Sequence, residues 1–201
     1  MLSLAIKLVC IMQRGNVKVN EIDLEGYYPQ AKIFKSPFCN TRPNEQDISL
    51  LVIHCISLPE GHYGGTAIHQ LFMGELDCQI HPSFSILQNL EVSAHCVIYR
   101  DGRIVQYVPF HLRAWHAGHS SFLNVTQCND YSIGIELEGT VSSAYTKKQY
   151  RALARLTKQL KLAYPLINNE RIVGHSHIAP QRKQDPGNKF DWEHYFSLLK
   201  L

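Results

Sequence analysis

Ser49-Leu50-Leu51-Val52-Ile53-His54 constrains the fold more than any other segment of the chain. A short continuous apolar run has no face to offer water, so it reads as a central strand covered on both sides. It stops abruptly at His54, and Pro59, Gly61, Gly64 and Gly65 then punctuate a loop. Tyr131 to Gly139 reads as a second strand, with Ile133, Ile135 and Leu137 on one face and Gly134, Glu136 and Glu138 on the other. An acid among apolar strand neighbours is costly to bury unpaired, so Glu136 is expected to have a partner or a task. Glu138 fits a solvent-facing side of the sheet better.

The remaining elements follow from local chemistry. Ser93 to Arg100 and Arg103 to Val108 flank Asp101-Gly102, a strong hairpin signal. Ala67 to Phe72 suits a short helix, and residues 73 to 91 read as irregular or weakly helical. Thr146 with Gln149 forms a capping box that opens a helix to about Tyr164, with Tyr150, Leu153, Leu156 and Leu160 as its buried stripe. Pro165 ends it, Arg171 to His175 returns as a strand, and Asp191 caps a closing helix from Trp192 to Leu199. This order predicts one α/β domain, which 201 residues suffice to build. Residues 13 to 48, broken by Pro29, Pro37 and Pro43, read as an arm, and the domain boundary is placed between residues 34 and 35.

Composition excludes several classes. With 45% hydrophobic and 18% charged residues the chain is an ordinary globular protein, and a net charge of +3 gives no case for nucleic acid. The six cysteines include no Cys-x-x-Cys pair, which favours reduced thiols in the cytoplasm. Leu2 to Met12 is apolar but lacks a basic lead-in, is interrupted by Lys7, and is too short to span a bilayer. Met12 is a second candidate start.

The polar loop from Gly174 to Gly187 is dense in His, Lys and Asp. On its own that is also a composition found in solvated surface loops. His54, His175 and Asp185 together form a three-donor set suited to catalytic zinc, with a coordination position left over. His177 competes with His175, because His-x-His on an extended segment also chelates; His175 is preferred as the residue nearer the strand end. His-Glu-x-x-His is absent, which removes the commonest metallopeptidase class. Trp115 and His116, beside Gly118, suit the wall of a pocket.

In order along the chain, Ile53-His54 with Ile56-Ser57-Leu58-Pro59, Ser93-Ala94-His95-Cys96, Ala114-Trp115-His116-Ala117-Gly118, Cys128-Asn129-Asp130, Ser132 to Thr140, and Gly174-His175 through Asp185-Pro186-Gly187 resemble the AmpD branch of the N-acetylmuramoyl-L-alanine amidases. The resemblance covers about residues 35 to 196. It implies a central mixed β-sheet flanked by helices, the fold shared with peptidoglycan-recognition proteins. It further implies one zinc on His54, His175 and Asp185, catalysis by Glu136 and Lys183, and substrate contacts at Trp115, His116, Arg100 and Ala179. The implied reaction is cleavage of the amide between the lactyl group of 1,6-anhydro-N-acetylmuramic acid and L-alanine, in cytoplasmic recycling of cell-wall fragments. A small muropeptide is then the expected partner, and a monomer the expected state. Cys55 stands where the family usually has Asn, Gln127 where an Arg is common, and Ala94 where the wider family often has a catalytic Tyr. Two rivals differ in kind: a zinc-free module that binds muropeptides without cutting them, and an exported amidase acting on intact murein.

Overall fold

Leu50, Leu51, Val52 and Ile53 are all fully buried, and they form the first half of β3 (Leu50–Ile56). The computed structural model describes residues 21–200, so Leu2 to Met12 and the alternative start lie outside the described residues. β3 pairs in parallel with β9 (Ser132–Glu138) over its whole length, from Leu50 opposite Ser132 to Ile56 opposite Glu138. On its other side lies β10 (Ile172–Gly174), also parallel. Beyond β9 come β4 (Cys96–Ile98), parallel to it, and β5 (Ile104–Gln106), antiparallel to β4. β1 (Lys32–Ile33) closes the edge, so among the described residues the central sheet is mixed and six-stranded, in the order β1-β5-β4-β9-β3-β10. Two small ribbons stand apart: β2 (Cys39–Asn40) with β6 (Arg113–Ala114), and β7 (Ser121–Phe122) with β8 (Val125–Thr126).

The sheet is covered on both faces, as its unbroken apolar strands require. α1 (Ala67–Met73) places Ile68, Leu71 and Phe72 against Val97, Val105 and Tyr107. On the opposite face α2 (Lys147–Ala163) packs Tyr150, Leu153, Leu156 and Leu160 onto Leu51, Ile53, Ile133, Ile135 and Leu137, with Tyr195 of α3 (Trp192–Lys200) beside them. Burying one such aliphatic side chain contributes about 1.5–3 kcal/mol. α2 begins with the expected capping box: Thr146 Oγ1 accepts from Gln149 N–H at 3.1 Å, and Gln149 Oε1 accepts from Thr146 N–H at 3.1 Å. Asp191 caps α3 by accepting from His194 N–H.

Three expectations change in detail. Glu138 is 2% exposed instead of facing solvent, because its carboxylate accepts from Gly64 N–H at 2.6 Å and Arg100 N–H at 3.0 Å and so ties two loops to the strand end. The polar segment after β10 opens with a helical turn, His175–Ile178. Part of residues 21 to 48 is built into the domain, through β1 and through Arg42, which is 5% exposed. Among the described residues no helix is long and apolar enough to cross a membrane.

Candidate metal and catalytic centre

The parallel register sets His54 beside Glu136 on one face of the sheet, near the carboxyl ends of their strands, where α/β sheets build sites. β10 runs parallel to β3, and His175 follows directly after its last residue. The returning loop then brings Asp185 over the same spot. Its backbone is held by Ser176 N–H donating to Asp185 O at 3.0 Å and by the Tyr145 hydroxyl donating to Pro186 O at 2.7 Å. Gly174 makes that approach possible, because a Cβ there would lie 2.6 Å from Pro186 Cδ.

His54 Nδ1, His175 Nδ1 and Asp185 Oδ2 converge in a triangle with sides of 3.0, 3.0 and 3.1 Å. All three residues are buried, and together they form a group able to hold a metal ion. Nitrogen and oxygen ligands bound to zinc tetrahedrally at about 2.0–2.1 Å stand about 3.3 Å apart, so the observed spacing fits. The outer ring nitrogens fit as well. His175 Nε2 lies 3.1 Å from Ala117 O, which can only accept, so the proton sits on Nε2 and Nδ1 is free to ligate. His54 Nε2 lies 2.9 Å from His116 Nδ1, and His116 Nε2 lies 3.3 Å from Ser132 Oγ, a chain consistent with the same tautomer at His54.

Electrostatics keep His54 and Asp185 unprotonated. Burial lowers the His54 pKa to about 4 despite the neighbouring Asp185 carboxylate, so the ring is neutral near pH 7. Burial alone would raise Asp185, but its close approach to the His175 and His54 rings outweighs burial and holds the carboxyl well below its usual range. A neutral His54 and an ionised Asp185 are in the state that a divalent cation requires of such ligands. Glu136 behaves oppositely: burial, followed by the negative charge of Asp185, raises its pKa well above the ordinary value, with Lys183 opposing. Glu136 Oε2 is buried and has no hydrogen-bond partner.

A cavity of about 250 Å³ opens on this group, lined by His54, His116, Glu136, His175, Lys183 and Asp185 on its polar side and by Leu58, Leu71, Phe72, Leu87, Leu90, Val92 and Trp115 on its apolar side. It adjoins a larger groove of about 610 Å³, with which it shares Leu71, Leu87 and Leu90. The fold thus brings together His54, His175, Asp185, Glu136, Lys183, Trp115 and His116. Arg100 and Ala179 do not line this cavity. The Arg100 guanidinium donates to Ala144 O and lies over the Tyr63 ring, and Ala179 lines a separate hollow beside His119 and Arg182. His177 points away: it is exposed, its Nδ1 accepts from Gly174 N–H, and its ring faces Trp192. Cys55 packs against the α2 face and also borders the cavity. The Ala117 carbonyl and Ser132 had no signature in the sequence, since a backbone acceptor carries none.

The model of the N-acetylmuramoyl-L-alanine amidase family matches residues 44–188. The 1,6-anhydro-N-acetylmuramyl-L-alanine amidase AmpD of Haemophilus influenzae is 50% identical over 183 residues, covering 91% of this chain and 99% of that protein. The crystal structure of an AmpD selenomethionine derivative superposes with a TM-score of 0.85 at 51% identity, covering 87% of this chain and 97% of that one. Escherichia coli AmiD, solved in complex with anhydro-N-acetylmuramic acid-L-Ala-D-gamma-Glu-L-Lys, superposes with a TM-score of 0.56 at 32% identity, over 76% of this chain and 57% of that one. A buried triad of metal donors, a carboxyl poised beside it, and likeness along nearly the whole chain lead to one conclusion: this protein belongs to the N-acetylmuramoyl-L-alanine amidase family and is an amidase.

Proposed function

We propose that this amidase is zinc-dependent and hydrolyses the amide between the lactyl group of 1,6-anhydro-N-acetylmuramic acid and L-alanine of the stem peptide, in cytoplasmic recycling of cell-wall fragments. The observation that carries the reading is the triangle of His54 Nδ1, His175 Nδ1 and Asp185 Oδ2 at the floor of a cavity. The substrate is supported by the name of the Haemophilus influenzae relative and by the ligand of the AmiD complex. Location is supported by Cys39, Cys55, Cys78, Cys96 and Cys128, all free thiols.

A zinc ion held by the three donors supplies Lewis acidity, which acidifies water and polarises the scissile carbonyl. The chain's own residues do the rest. Glu136, within the same cavity, in its ionised form accepts the proton of the attacking water as the new carbon–oxygen bond forms. Lys183 supplies positive charge to the developing oxyanion. As the carbon–nitrogen bond breaks, Glu136 returns its proton to the departing alanine nitrogen and is regenerated. The apolar wall of Leu58, Phe72, Leu90 and Trp115 restricts water around the reacting amide.

The test is mass spectrometry of anhydromuramyl-tripeptide incubated with zinc-loaded protein. Anhydro-N-acetylmuramic acid and free tripeptide are expected, with loss of cleavage on chelation and its return with zinc. Binding of the intact compound without cleavage would favour the recognition module, and cleavage of polymeric murein alone would favour an exported enzyme.

A further inference from the structure

The outer nitrogens of the two metal-binding histidines are held by consecutive residues. His54 Nε2 meets His116 Nδ1 at 2.9 Å, and His175 Nε2 meets Ala117 O at 3.1 Å. These two residues lie in a loop between β6 and β7, with no strand or helix to fix them. Their backbone N–H groups share one acceptor: His116 N–H and Ala117 N–H both donate to Asn129 Oδ1, at 3.1 and 2.8 Å, while the Ala117 carbonyl also accepts from Arg182 Nη2 at 2.7 Å. Two donors facing the same atom require it to be the amide oxygen. Asn129 is itself anchored, because the buried guanidinium of Arg42 donates from Nη1 to Asn129 O at 2.9 Å and Asp130 O at 3.1 Å. From the opposite side Gly134 makes room for the imidazole: a Cβ there would lie 2.4 Å from His116 Cγ.

We propose that Asn129 is a positioning residue of the metal centre, and that its single side-chain oxygen orients both metal-binding histidines at once through the His116–Ala117 segment. Asn129 does not line the cavity and reaches neither histidine directly. Its effect travels through two peptide N–H groups, one imidazole and one carbonyl. Without that oxygen both N–H groups lose their acceptor, and the partners of His54 Nε2 and His175 Nε2 are held less firmly, Ala117 O by Arg182 alone. Outer partners of metal-binding histidines set affinity by fixing ring orientation and tautomer.

The inference rests on the zinc reading above, and its test separates the two. Zinc affinity of the full chain is measured by competition with a chromophoric chelator. Asn129→Ala should weaken binding about ten- to a hundredfold, the range for loss of an outer partner. Asn129→Asp, which keeps an oxygen at the same place, should restore affinity to near the native value. Long-range proton–nitrogen spectra of the zinc-free protein supply a second readout: His54 and His175 should both be Nε2–H tautomers in the native chain and in Asn129→Asp, and mixed in Asn129→Ala. Should Asn129→Ala not fold, His116→Phe keeps a ring over Gly134, removes the acceptor for His54 Nε2, and should weaken zinc within the same range. Native zinc affinity in Asn129→Ala, or in His116→Phe if that variant stands in, would overturn the proposal while leaving the zinc reading intact. A native chain that binds no zinc would overturn both.

Discussion

Glu136 and His54 are neighbours across a strand pair, yet they differ in what their removal should do. Glu136→Ala should retain zinc and lose turnover if the carboxyl is the proposed base, since it does not belong to the donor triangle; His54→Ala should lose both. Metal analysis alongside a hydrolysis assay separates them, and near-native hydrolysis by Glu136→Ala would remove Glu136 as the base. Lys183→Ala should slow turnover by about a hundred- to thousandfold with zinc retained, the scale for losing one oxyanion partner. Glu136 must be ionised to accept a proton, and burial together with Asp185 raises its pKa well above the ordinary value. The acid limb of kcat/KM should therefore fall above the ordinary carboxylate range of about 4.3. An acid limb at or below that value would contradict the environment assigned to Glu136. Glu138, two residues on, carries the same group in a different role, bonded to Gly64 and Arg100 backbone N–H groups. Period two places both acids on one face, and only the neighbouring loops decide which is held and which is left without a partner at one oxygen.

Among the elements, α2 was the most legible in the chain, because its start depends on two side chains three residues apart. The structure adds a tie that local sequence does not reveal: Thr146 Oγ1 also donates to Arg100 O at 2.8 Å, joining the helix start to the β4–β5 turn. Thr146→Ala removes both interactions and should lower stability by about 1–2 kcal/mol, the upper part of the range for a lost cap. Chemical denaturation with an unchanged slope would read this directly, and a loss below about 0.3 kcal/mol would mean the cap contributes little. The Asp101-Gly102 hairpin formed with shorter regular strands than its pattern suggests: Ser93 N–H donates to Trp115 O, and His95 splits its bonds, its N–H donating to Gly134 O and its carbonyl accepting from Tyr107 N–H across the hairpin. The turn His175–Ile178 was not legible, for its residues carry no helix signal and it is held by packing of Ile178 beneath Val52 and Val173.

Across the whole molecule, buried histidines link stability to pH. His95 is fully buried, its Nδ1 accepts from Gly134 N–H, and burial followed by the charge of Arg42 holds its pKa well below the usual value. His116 is lowered likewise, by burial and then by His54. Each binds a proton more readily unfolded, near pH 6.5, than folded, so its contribution is complete above that pH and is lost as the pH falls below it. The slope is at most about 1.4 kcal/mol per pH unit for each such histidine. Zinc-free protein should therefore be less stable to denaturant at pH 5.5 than at 7.5, and His95→Gln should flatten the difference; equal stabilities at the two pH values would contradict neutral buried histidines. The sequence by itself determined the central strands, the capped helices and the candidates His54, Glu136, His175 and Asp185, because strand periodicity, caps and strand ends are written in neighbouring residues. Only the tertiary structure decided that the Nδ1 atoms of both histidines face Asp185, that His177 turns away, and that Asn129 Oδ1 meets the loop behind them. Those choices depend on which groups meet across 121 residues of separation between His54 and His175, and on backbone carbonyls and N–H groups that every residue shares.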